Sequence, residues 1–286
     1  MQISRGAHDN LIVAEDADGN DATGNALTGA AVGIEVTGKG TRGNRIEGNR
    51  IDGNGIGVRI GGEALETVVR GNTIVRGAGV GIQIRDASWK TVIAENRIGV
   101  ETDDLPAATA LGNDGWGIDI AAPAKDTQVT DNRIQGNGQG GIRVAGRTAE
   151  LIRLTQNRIT GNTGPAVSVE GGANRGVQPP VLHLSGARVI GRSCPLCVVE
   201  FYSDPGDEAA RYEGSITADN GGNAVFSAPG PFAHRFVTAL STDPDGNSSA
   251  LAAAADTAPE PTPTATAVGP SPATRAYLPV ALRGAP

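Results

Sequence analysis

The sequence predicts an all-β chain: a right-handed parallel β-helix with three short strands per coil of about 24 residues, a small β-sandwich after it, and a Pro/Thr-rich tail. Three recurrences carry that prediction. A glycine followed by aliphatic, any residue, aliphatic returns at Gly33-Ile34-Glu35-Val36, Gly57-Val58-Arg59-Ile60, Gly81-Ile82-Gln83-Ile84, Gly117-Ile118-Asp119-Ile120, Gly141-Ile142-Arg143-Val144 and, with alanine leading, Ala166-Val167-Ser168-Val169. The steps between these tetrads are 24, 24, 36, 24 and 25 residues. An Asn-x-Ile signature keeps nearly the same beat at Asn49/Ile51, Asn72/Ile74, Asn96/Ile98, Asn132/Ile134 and Asn157/Ile159. A third apolar stretch recurs at Thr67-Val68-Val69, Thr91-Val92-Ile93, Thr127-Gln128-Val129 and Leu151-Ile152-Arg153-Leu154. Composition agrees, since 42 glycines and 3% aromatic residues among 286 describe turn-dense β structure rather than helical bundles.

Three signatures at one period place three strands in each coil, separated by Gly and Asn turns that tolerate the backbone a corner demands. Alternating aliphatics point inward and the residues between them outward. Hairpins of a meandering sandwich would not hold one beat across three separate signatures. Stacking places Asn49, Asn72, Asn96, Asn132 and Asn157 one above another about 4.8 Å apart, with amides bonded along the column. One coil cannot bury enough apolar surface to offset the ordering of its own backbone, so its neighbours must supply the rest. The long step is a single insertion within "GVETDDLPAATALGND". At the start, Asn10-Leu11-Ile12 precedes "AEDADGNDATGNALTGAAVGIEV" as Asn96-Arg97-Ile98 precedes "GVETDDLPAATALGNDGWGIDI". The chain therefore begins inside a coil, and "MQISRGAHDNLIVAED" is not a secretory signal, so the natural protein is expected to extend further at its N-terminus. A bare terminal coil exposes unpaired backbone and calls for a cap.

The solenoid is expected over residues 1–177, and Pro179 and Pro180 mark its joint with the next domain. Residues 178–254 read as an immunoglobulin-like sandwich, with strands "VLHLSGARVIG", "CVVEFYSD", "YEGSITAD", "NAVFSA" and "FVTALSTD" and turns "DNGGN" and "DPDGN". Residues 255–286 are a Pro/Thr/Ala stretch without the means to bury a core and are expected to be disordered or extended.

The tetrads, the Asn-Arg-Ile triplets and the long step "NRIGVETDDLPAATALGNDGWGIDI" resemble the right-handed β-helix repeat proteins of bacterial exteriors, related in fold to pectate lyases and NosD-type periplasmic proteins. The resemblance covers about residues 1–177. It implies a fold rather than an activity, because that fold hosts lyases, hydrolases, epimerases and pure binders. The segment "CVVEFYSDPGDEAARYEGSITADNGGNAVFSA" is similar to small sandwich modules that come after such helices in secreted bacterial proteins, and no catalytic residues come with that match.

Charge and motif bound the chemistry. A net charge of -7 argues against nonspecific nucleic-acid binding, which needs a basic footprint, and no run of eighteen apolar residues exists to span a membrane. Cys194-Pro195-Leu196-Cys197 precedes a strand, "VVEFY", where a thioredoxin-like pair would open a helix, and zinc would need two further ligands. A local disulfide is the favoured reading, with redox or metal roles as alternatives, and it implies an oxidising compartment. No metal site is expected from His8, His183 and His234, which are scattered in sequence. The copper handling implied by a NosD-type resemblance wants Met, His and Cys, of which this chain has one, three and two. No cofactor is expected. Calcium alone stays open, because Asp243-Pro244-Asp245-Gly246-Asn247 spaces oxygen ligands as calcium loops do, yet it lacks the bidentate Glu and reads as a turn.

In the insertion, Glu101, Asp103, Asp104 and Asp114 offer carboxylates for hydrolysis or lyase chemistry, with Asp103, Asp104 and Asp114 the catalytic candidates against a solvated acidic loop. Trp116 takes the column position of Val32, Ile56 and Val80 and is expected to pack along the stack, while Trp89, beside Lys90 at a corner, offers a stacking face for a sugar. The residue between Asn and Ile reads Arg50, Thr73, Arg97, Arg133 and Arg158, a basic stripe on an acidic protein. It either docks an anionic polysaccharide or is neutralised by Glu47, Asp52, Glu95 and Asp131. The expected function is polysaccharide binding without cleavage by a secreted or cell-surface protein, through Arg50, Arg97, Arg133, Arg158 and Trp89. A polysaccharide lyase or glycoside hydrolase, and a structural stalk with no ligand, are the alternatives. Oligomeric state is not legible.

Overall fold

A computed structural model describes residues 1–13, 25–102, 111–185 and 188–257. The three strand signatures build three parallel sheets. The first stacks Gln2–Ile3, Val32–Thr37, Ile56–Gly61, Ile82–Ile84, Trp116–Ala121, Gly140–Ala145 and Val167–Glu170. The second stacks Leu11–Val13, Arg45–Glu47, Val68–Arg70, Val92–Ala94, Lys125–Thr130 and Glu150–Thr155, and the third Ala26–Thr28, Arg50–Asp52, Thr73–Val75, Arg97–Ile98, Arg133–Gln135 and Arg158–Thr160. Every pairing within them is parallel and in register with the repeat, as in Ile82↔Val58 and Ile82↔Ile118. The predicted parallel β-helix is therefore the fold.

Alternation sets the inside. Ile34, Val58, Ile82, Ile118 and Ile142 from the first sheet, Ile46, Val69, Ile93 and Val129 from the second, and Ile74, Ile98 and Ile134 from the third are all fully buried in one continuous core. The leading glycine of each tetrad is required by how closely the coils approach. A Cβ on Gly81 would lie 2.6 Å from the Gly117 carbonyl oxygen and 2.8 Å from Ile98 Cγ2. At Ala166 the methyl is tolerated because no further coil stacks upon it. Trp116 lies along the stack as expected, opposite Gly140, where a side chain would collide with the indole.

Corners are closed by two asparagine ladders. In the first, the main-chain N–H and Nδ2 of Asn49 both donate to Asn72 Oδ1 at 2.9 and 3.0 Å, and the same pair of bonds repeats from Asn72 to Asn96, Asn96 to Asn132 and Asn132 to Asn157. The second ladder, at the turn from the third sheet to the first, runs Asn113 to Asn137 to Asn162 with the same geometry. Sequence reasoning passed over it, although the Gly-Asn pairs at 53–54, 112–113, 136–137 and 161–162 carry its signal.

After the last coil the chain forms two antiparallel sheets: Val181–Ser185, Arg188–Arg192 and Asn223–Ser227, and Arg211–Thr217, Val198–Asp204, Phe236–Thr242 and Ala255–Asp256. "VLHLSGARVIG", read from sequence as one strand, is two strands paired with each other, Val181 opposite Arg192, and only the second half meets Asn223–Ser227. Ala255–Asp256, placed by sequence at the start of the tail, pair with Phe236 and Val237, and residues 258–286 of that tail lie outside the described residues. Phe201 stacks on Phe226 with ring centroids 4.6 Å apart, joining the two sheets, and Cys194 and Cys197 form a disulfide.

This region caps the solenoid. Ile159 and Ala209 exchange two backbone hydrogen bonds of 2.9 Å, adding an antiparallel rung to the third sheet. The N–H groups of Leu151 and Leu154 donate to Asn247 Oδ1 and Ser248 Oγ at 2.7 and 2.9 Å. The Gln156 N–H reaches Glu200 and the Tyr202 hydroxyl, and the second ladder ends on Glu208, which accepts from both nitrogens of Asn162 and from the Gly161 N–H. "DPDGN" is thus a turn with a docking role: Asp243 Oδ1 accepts the Asn247 N–H at 2.8 Å, and Asp245 pairs with Arg175.

Candidate functional site: an arginine column ending in a cleft

The outward position after each ladder asparagine stacks as the periodicity requires. Arg50 pairs with Thr73, Thr73 with Arg97, Arg97 with Arg133, and Arg133 with Arg158. The equivalent outward column of the first sheet is Glu35, Arg59, Gln83, Asp119, Arg143 and Ser168, and there the charges alternate. Arg59 bonds Glu35 at 3.4 Å, and Arg143 bonds Asp119 at 3.2 Å and Glu170 at 2.5 Å. One face of the solenoid is laced with ion pairs, whereas the other repeats a single sign on successive rungs.

Neutralisation of the stripe by Glu47, Asp52, Glu95 and Asp131 holds only at Asp52. Glu47 pairs with Arg45 and Glu95 with Arg70, both on the second sheet, and Asp131 accepts from the Thr130 hydroxyl. These acids flank the corner and find nearer partners on the far side of it. Asp52 is held by Arg50 and Arg76, and Glu101 from the insertion also pairs with Arg50. Burial alone would raise the Asp52 carboxyl, but the guanidinium groups of Arg76 and Arg50 outweigh it and hold it below the usual carboxylate range.

At the other end the column opens into a cleft of about 210 Å³, lined by Arg133, Arg158, Thr160, Ala210, Arg211 and His234. Arg158 Nε donates to the Ala210 carbonyl oxygen at 3.4 Å, and Arg133 reaches Gln135 Oε1 at 3.2 Å. Arg211 and His234 have no repeat signature, so sequence reasoning did not connect them with the stripe.

Trp89 is not brought to this face. It lies at the corner between the first and second sheets, 49% exposed, with Lys90 Nζ 5.9 Å from its ring centre. Of the catalytic candidates, Asp103 and Asp104 lie outside the described residues. Asp114 is exposed at the turn into the first sheet, its main-chain N–H on the Gly77 carbonyl.

Glu208 lines a second, larger depression at the seam with Asp207, Asn162 and Leu251. Burial raises its carboxyl above the usual range even though the Asn162 and Gly161 N–H groups oppose the shift. Because it holds its proton more readily folded than unfolded, the stability it contributes is full below the ordinary carboxylate range and is lost as the pH rises through its folded value. The stability of the wild type relative to Glu208→Gln should therefore decline from acid to neutral pH. Urea midpoints of both proteins across that interval check it, and parallel profiles would refute it.

Fold and surface together define a parallel β-helix protein with a capped end and a basic outward column. The chain belongs to the family described as periplasmic copper-binding protein (NosD), whose model matches residues 3–175. No curated protein matches it. Among solved structures it is similar to the full-length tailspike protein 2 of Escherichia coli O157:H7 bacteriophage CAB120, at 10% identity and TM-score 0.32, covering 79% of this chain and 51% of that one. It is also similar to the tailspike protein gp49 of Acinetobacter baumannii bacteriophage Fri1, a capsular polysaccharide depolymerase, at 11% identity and TM-score 0.22, covering 81% and 58%. The chain thus spans little more than half the length of either tailspike.

The family description names copper, which takes imidazole, thioether and thiolate donors. Both cysteines here are bonded to each other, Met1 is the single methionine, and His8, His183 and His234 sit in different parts of the fold. Among the described residues no group of three or more His, Cys, Asp or Glu comes together. The residues present do not fit a copper centre. Nor is any helix among the described residues long and apolar enough to cross a membrane.

Proposed function

We propose that this protein acts outside the cytoplasm as a polysaccharide-binding β-helix whose arginine column docks an anionic glycan. One observation carries this reading: Arg97, Arg133 and Arg158 occupy consecutive rungs at one register position. Like charges on adjacent strands repel. The first sheet alternates Arg with acid, whereas this column repeats arginine at one register position, a layout that suits a polyanion lying along it. Guanidinium forks pair bidentately with carboxylates, and the rung spacing of about 4.8 Å is close to the length of one sugar residue. The periplasmic description of the family and the Cys194–Cys197 disulfide both support an oxidising, extracytoplasmic location, secreted or at the cell surface.

The test is retention on a polyuronate column at low salt. Wild-type protein should be retained and should elute as salt screens the charges. The triple variant Arg97→Gln, Arg133→Gln, Arg158→Gln leaves the inward Ile98, Ile134 and Ile159 in place and should pass through. Unchanged retention would overturn the reading. The same glycans, scored for chain shortening after incubation, separate binding from depolymerisation.

A further inference from the structure

We infer that the region after the solenoid completes the binding face, the cleft between Arg158 and Arg211 taking the carboxylate of one acidic sugar residue with side chains from both parts of the chain. This rests on the reading of the arginine column as a polyanion face and names its end subsite. The antiparallel rung between Ile159 and Ala209 sets Ala210 in the next place beyond Arg158, where the Arg158 guanidinium meets its carbonyl. Arg211 comes directly after, and His234 comes from the segment leading into Phe236–Thr242. The lining therefore draws three arginines, a histidine and Thr160 around one space of about 210 Å³. That space suits a single monosaccharide rather than a larger ligand.

Nearby acids are already committed. Glu213 is nearly buried and accepts from the Ser203 hydroxyl at 2.5 Å and the Ala233 N–H at 3.1 Å. Its distance to Arg211 Nε is 3.9 Å, too long for a hydrogen bond. Asp204, 3% exposed, accepts the Gly206 and Ala210 N–H groups at 2.6 and 3.1 Å and faces Thr160 Oγ1 at 3.4 Å. Both carboxylates hold the backbone and side chains that shape the cleft, and Arg211, 62% exposed, lines it with only a long ion pair to Glu213. A uronate supplies a planar carboxylate for the forks of Arg158 and Arg211 and hydroxyls for Thr160 and His234.

The experiment is calorimetric titration of the full chain at low salt with digalacturonate, beside a neutral disaccharide. Wild-type protein should bind the first and not the second. Arg211→Gln should weaken binding about tenfold or more, because a charge-assisted bidentate pair is lost. Arg211→Lys, which keeps the charge without the fork, should fall between, and His234→Gln should weaken binding less. Arg70→Gln, on the second sheet and outside the column, should bind digalacturonate as wild type does. Arg211 is 62% exposed, so its variants are expected to melt with the wild type. Wild-type binding by Arg211→Gln, or no binding of digalacturonate by the wild type, overturns the cleft. If either occurs while the triple variant still loses retention on the polymer, the column reading stands without it. If the triple variant is retained, the column reading itself has failed.

Discussion

Asn96→Ala should destabilise the protein by about 3–5 kcal/mol, measured by chemical denaturation, since a buried polar group left unpaired costs about 1–3 kcal/mol and several are orphaned together. Asn96 is fully buried. Its Oδ1 accepts the main-chain N–H and Nδ2 of Asn72, both at 3.0 Å, and its Nδ2 donates to the Val69 carbonyl and to Asn132 Oδ1, both at 2.9 Å. Alanine removes all four bonds. The damage reaches both neighbouring coils, so a solenoid held by nearest-neighbour stacking loses cooperativity at that rung. Glu95→Gln, one residue away on the exposed side of the corner, should stay within about 1 kcal/mol of wild type. A loss below about 1 kcal/mol for Asn96→Ala would mean that the ladder is ornament to the apolar core.

The second large effect is expected at the seam. Glu200, 4% exposed, accepts from the Thr155 hydroxyl, from the Gln156 N–H at 3.0 Å and from the Tyr202 hydroxyl, itself 1% exposed. Burial, then the adjacent Glu200 carboxylate, raises the Tyr202 phenol well above its usual range, so it remains a donor. Glu200→Ala leaves the hydroxyls of Thr155 and Tyr202 without their shared acceptor and removes one of two acceptors of the Gln156 N–H, at an expected cost of about 3 kcal/mol or more. The last coil and the antiparallel sheets should then unfold separately. Wild-type protein should show one calorimetric transition across the seam and Glu200→Ala two. A single transition at the wild-type temperature would show that the apolar contacts of Tyr202, Ala209 and Leu240 with the solenoid core suffice without it.

These two sites differ in how they could be read beforehand. Asn96 was legible because the solenoid writes each structural role once per coil: the same environment recurs every 24 residues, so the same side chain recurs there. The arginine column was legible for the same reason, with its outward direction following from the inward Asn and Ile on either side. Even the ladder through Asn113, Asn137 and Asn162, which was passed over, lay open in its Gly-Asn spacing. The counter-charges were not legible. Glu47 and Glu95 stand close to the stripe in sequence, yet the corner turns them toward Arg45 and Arg70.

The sequence by itself determined the period, the three strands of each coil, the buried Ile and Val stacks and the register of the outward column, because all of these are local and repeat. Tertiary structure alone decided what closes the solenoid and what completes its basic face. Glu200 meets Gln156 across 44 residues and Asn247 meets Leu151 across 96, and Arg211 and His234 join Arg158 at a seam that occurs once. A contact made once leaves no period to read. Its partners are chosen by which unpaired backbone groups the final coil exposes, and that demand exists only after the coils have stacked.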